Sequence, residues 1–69
     1  MIQNEQQLAV TQERIAFFQQ ILVDLRRTAH PEELPYVASG YRIEIEKMQK
    51  EVLDYLTRPA PRQNRPVTA

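Results

Sequence analysis

A chain of 69 residues has room for one small domain, whose core supplies little more than about 3–5 kcal/mol, so a staple or a partner is expected. Nine basic residues balance nine acidic ones, which excludes a global field that recruits nucleic acid or an anionic membrane; zero cysteines and one histidine exclude a disulfide framework, a thiolate zinc site and a histidine cluster. No apolar run approaches the ~20 residues of a membrane span and the chain does not open on a signal-peptide pattern, so a cytoplasmic protein without a membrane partner is expected.

The first predicted element is a helix from about Asn4 to Thr28. Asn4 with Gln7 three residues on has the spacing of a capping box, in which two side chains satisfy two backbone N–H groups. The connection that follows, His30-Pro31-Glu32-Glu33-Leu34-Pro35, puts prolines and paired acids where the first turn of a helix favours them. Residues 31–34 read as one helical turn leading into a second helix, about Pro35 to Thr57. Gly40 inside that helix costs about 1 kcal/mol relative to Ala. Either a bulky neighbour such as Phe18 or Ile21 comes close there, or the helix kinks. Five pairs of opposite charge four residues apart, Arg42–Glu46, Glu46–Lys50, Lys47–Glu51, Lys50–Asp54 and Asp54–Arg58, support the second helix and read as a solvated flank. The remaining residues, 58–69, carry three prolines and three arginines with almost nothing to bury, so a flexible tail is expected beyond a hairpin of residues 1–57. The zero net charge therefore conceals a tail of +3 on a body of −3.

Apolar spacing joins the two helices. In the first, Leu8, Thr11, Ile15, Phe18, Leu22 and Leu25 follow the 3,4,3,4,3 stripe of a coiled coil; in the second, Ala38, Tyr41, Ile45, Met48, Val52 and Tyr55 follow it too. A short connection makes such helices antiparallel neighbours. Laying one stripe on the other pairs Leu25 with Ala38, Leu22 with Tyr41, Phe18 with Ile45, Ile15 with Met48, Thr11 with Val52 and Leu8 with Tyr55. The fold class expected is all-α, an antiparallel two-helix hairpin. Val10, Phe17 and Ile21 are left over on an adjoining strip of the first helix, and Ile43, Leu53 and Leu56 are scattered among charges on the second. An apolar face that wide implies two partners, one inside the chain and one outside it. The expected solution is a homodimer forming a four-helix bundle through helix one, with a different protein partner on the same strip as the competing explanation.

Residues that carry chemistry are sparse. His30 followed by Pro31 reads as a contact to the end of the preceding helix rather than a general base. Glu32 and Glu33 point apart and suit the helix dipole, and no Glu-x-x-His pair of a di-iron bundle exists. With no phosphate loop or nucleophile elbow, no enzyme, no cofactor, no metal and no small-molecule substrate are expected. Arg58, Arg62 and Arg65 raise nucleic-acid contact as the alternative function. Two features count against it: no aromatic residue interleaves with them to stack on bases, and Arg26 and Arg27 lie at the other end of the hairpin.

The opening Met1-Ile2-Gln3-Asn4-Glu5, the run Gly40-Tyr41-Arg42-Ile43-Glu44-Ile45-Glu46-Lys47-Met48 and the run Glu51-Val52-Leu53-Asp54-Tyr55-Leu56 resemble small uncharacterised bacterial α-helical hairpin proteins, some of them encoded beside helix-turn-helix antitoxins. The resemblance implies a cytoplasmic accessory protein in a regulatory setting and carries over no catalytic or binding residue. The function expected is a small protein–protein interaction or regulatory module that self-associates.

Overall fold

In a computed structural model, which describes residues 1–60, the chain is two α-helices packed against each other, α1 (Glu5–Thr28) and α2 (Leu34–Leu56), with no strand among the described residues. It is an all-α antiparallel hairpin. Residues 61–69 lie outside the described residues, and with them Arg62, Arg65 and most of the expected tail.

Each helix end has an identifiable cause. Asn4 takes extended backbone and its side-chain Oδ1 accepts the Gln7 N–H at 2.8 Å, which satisfies one of the donors a helix start leaves open. Gln7 does not close the box expected for it. Its Oε1 accepts the N–H of Gln3 at 2.8 Å rather than that of Asn4, so the reach extends one residue further and folds the segment before the cap back over the helix. At the other end Arg26 and Arg27 occupy the last turn, where cations suit the helix dipole, and Ala29 leaves the helix while donating its N–H to the Leu25 carbonyl at 2.9 Å.

The connection is a single turn. Glu33 and Leu34 both donate their N–H groups to the His30 carbonyl, at 2.9 and 3.0 Å, and α2 continues directly with Pro35 in its first turn, a position that needs no donor. The His30 side chain faces forward, not back: its Nδ1 accepts the Glu32 N–H at 3.3 Å, so it supports the start of this turn and not the end of α1. The α-helix then runs unbroken through Gly40 to Leu56. A Cβ at Gly40 would meet nothing within 4 Å, which corrects the expectation that Phe18 or Ile21 approaches there; the small side chain leaves open space. Thr57 ends α2 with its hydroxyl donating to the Leu53 carbonyl at 2.7 Å.

Ile45, Met48 and Val52 of α2 are buried against α1, and the other nine positions of the two stripes are half-buried. The Phe18 ring meets the Tyr41 ring edge-on, centroids 5.8 Å apart, a contact that ties neighbouring layers of the hairpin together. The most buried of the described residues belongs to neither stripe. Ile2, 3% exposed, is held at the open end of the hairpin, where its carbonyl accepts from an Arg58 guanidinium nitrogen at 3.3 Å. Neither helix is long and apolar enough to cross a membrane.

Candidate interaction surface

A helix turns about 100° per residue, so residues 10, 14, 17, 21, 24 and 28 of α1 form one strip, about 110° round from the stripe that faces α2. The strip reads Val10, Arg14, Phe17, Ile21, Asp24, Thr28. Val10 is 51% and Phe17 63% exposed, while Ile21 is half-buried. The Phe17 ring lies 6.1 Å from that of Phe18, which in turn packs on Tyr41, so Phe17 is the outermost member of an aromatic run that begins in the seam. This fixes its position without covering it.

The charges on the strip are unspent. Among the described residues Arg14 and Asp24 belong to no ion pair; the Asp24 carboxylate accepts the Gln20 side-chain amide at 3.3 Å, and its backbone carbonyl accepts the Thr28 hydroxyl at 3.0 Å. Of the five pairs expected on α2, the structure forms one, Arg42 with Glu46 at 3.9 Å, and both partners are largely exposed. That correction has a simple cause: an exposed pair gains little Coulomb energy in water and must immobilise two long side chains, so its net value is about 0–1 kcal/mol.

The opposite flank of the hairpin differs in character. There an open groove of about 470 Å³ runs between the helices over Ile15 and Val52, edged by Gln12, Ala16, Gln49 and Leu53 and free of charge. Leu53 and Leu56 are exposed on that side, and Ile43 is exposed on the outer face of α2. The leftover apolar residues of α2 therefore do not join the strip of α1.

Sequence spacing alone did not single out Ile2 or the anchoring of Arg58. The staple position directly before the capping Asn4 holds Gln3, and Ile2 lies one residue further out, so the usual signal was absent. Arg58, one of the three arginines that raised nucleic-acid contact as the alternative function, donates to the Ile2 carbonyl and lies 5.9 Å from the centre of the Tyr55 ring, so it bridges the two ends of the hairpin. That role depends on the ends meeting in space. No group of three His, Asp or Glu residues that could hold a metal ion occurs among the described residues. Comparison with protein-family models, with curated proteins and with solved structures gives no match for the chain.

Proposed function

We propose that this protein is a small interaction or regulatory accessory module that self-associates through α1, two hairpins forming a four-helix bundle. The observation that carries the reading is the strip centred on Phe17, a large aromatic side chain fixed against the seam yet 63% exposed. Its burial is a hydrophobic gain still open to the molecule.

Phe17→Asp tests it. A carboxylate in that strip loses its hydration when the second copy docks, so the dimer is expected to dissociate, and the released hairpin to lose helicity with a melting temperature that depends on protein concentration. Gln20→Asp on the outer face is the control; it loses the amide bond to Asp24 and sets two acids four residues apart, about 0.5 kcal/mol. Sedimentation and far-UV circular dichroism read both. A Phe17→Asp protein that remains a helical dimer refutes the reading, and a wild-type hairpin that is monomeric until a different protein is added assigns the strip to that partner.

A further inference from the structure

The exposed strip of α1 is self-complementary, and this property specifies how the second copy would sit. The inference rests on the self-association proposed above and deepens it. Residues 10, 14, 17, 21, 24 and 28 are spaced 4,3,4,3,4, a pattern that is the same read from either end, with its midpoint at the level of Gln19. A two-fold axis through that midpoint, perpendicular to the helix, lays α1 antiparallel on its own copy. Phe17 then faces Ile21 of the second copy and Ile21 faces its Phe17, so the apolar residues meet at the centre. Arg14 faces Asp24 of the second copy on one side and Asp24 faces its Arg14 on the other. Both are charges that make no ion pair within the hairpin. Val10 and Thr28 close the two ends. We propose that the protein dimerises in this one arrangement, antiparallel through α1, with the two Arg14–Asp24 pairs setting its register.

Two observations favour this flank and this register over the alternatives. The equivalent strip on the opposite flank of α1, Ala9, Gln12, Ala16, Gln19, Val23 and Arg26, has the same length but holds no pair of opposite charges to recognise a copy of itself. The register centred on Phe17 fails as well, since it sets Val10 against Asp24 and Ile21 against Glu13, each an apolar group facing a carboxylate. An isologous contact repeats every pair, so each favourable charge counts two times and so does each error.

Reversal of the charges separates this arrangement from self-association of any other kind. Arg14→Glu alone and Asp24→Arg alone each place like charges together at both sites and are expected to weaken dimerisation about tenfold or more. Mixed one to one, the two variants restore opposite charges at both sites, so a heterodimer is expected to return to within a few fold of the wild-type affinity. Orientation is read independently in the cysteine-free chain. A mixture of Val10→Cys and Thr28→Cys proteins cross-links on oxidation while neither does so alone, because residues 10 and 28 lie about 27 Å apart along the helix. A parallel dimer gives the reverse pattern and overturns the proposal. A wild-type dimer indifferent to both charge variants overturns this arrangement and leaves self-association standing. A wild-type protein monomeric at every concentration overturns both.

Discussion

The two ends of the hairpin carry the same spacing of seam residues and yet bury them differently. From the middle of α2 towards the open end, Ile45, Met48 and Val52 are buried while Leu8, Thr11, Ile15 and Tyr55 are half-buried, and Ile2, from outside the helices, is buried at that end. Towards the turn, where the chain is covalently joined, Leu22, Leu25, Leu34, Ala38 and Tyr41 are all only half-buried. Joining two helices is therefore not what packs them. At the turn the facing stretch is Ala38-Ser39-Gly40, whose small size leaves large side chains on α1 partly uncovered, and among the described residues nothing lies within 4 Å of a Cβ at Gly40. At the open end a folded-back segment supplies the missing cover. Stability in a two-helix hairpin follows side-chain volume and the number of segments that meet, since each buried group needs neighbours on every side.

The strongest way to break this comparison is a pair of truncations. Met48→Ala removes a buried side chain and is expected to cost about 2–5 kcal/mol, while Leu25→Ala, half-buried near the turn, costs clearly less. Urea unfolding at one fixed protein concentration measures both; equal losses would show that the core is uniform along the seam. Next in size is Ile2→Ala, expected to cost about 2 kcal/mol because the side chain lies inside the open end. Its signature is local: hydrogen exchange should quicken at the last turns of α2 more than at the turn between helices. Exchange that quickens evenly would remove the special status of that end.

A smaller effect is expected from Asn4→Ala, which deletes the side-chain acceptor for the Gln7 N–H and should lower stability by about 1 kcal/mol. In a chain of this size that is a fall of several degrees in the melting temperature. A cap worth nothing would mean that α1 frays at its start whether or not Asn4 is present. The smallest expected effect is a gain. Gly40→Ala removes the glycine penalty at a helical position with open space around it, so calorimetry should show about 0.5–1 kcal/mol of added stability. A loss instead would place the second copy's backbone against α2 at that point.

Much of the hairpin was legible in the chain because its signals are local. The prolines at 31 and 35 mark the connection, Asn4 marks the start of α1, and the 3,4 spacing marks one stripe on each helix; these follow from backbone sterics and helical period. The candidate surface was legible in the same way, since Val10, Phe17 and Ile21 are what the stripe omits. What stayed hidden involves residues far apart in the chain. Ile2 and Arg58 are separated by 56 positions and no spacing rule connects them. The charge ladder of α2 misled for the opposite reason: the spacing was right, but solvent competes with each pair and most do not close.

Sequence by itself determined the two helices, where each begins and stops, and the faces on which their apolar residues lie, because these depend on interactions within four residues of backbone. Only the tertiary structure decided which half of the seam is buried, that Ile2 is the most protected side chain, that Gly40 borders open space, and that Phe17 stays exposed at the end of an aromatic run. Burial is a property of everything that surrounds a side chain, and those neighbours come from parts of the chain that meet only when the hairpin closes.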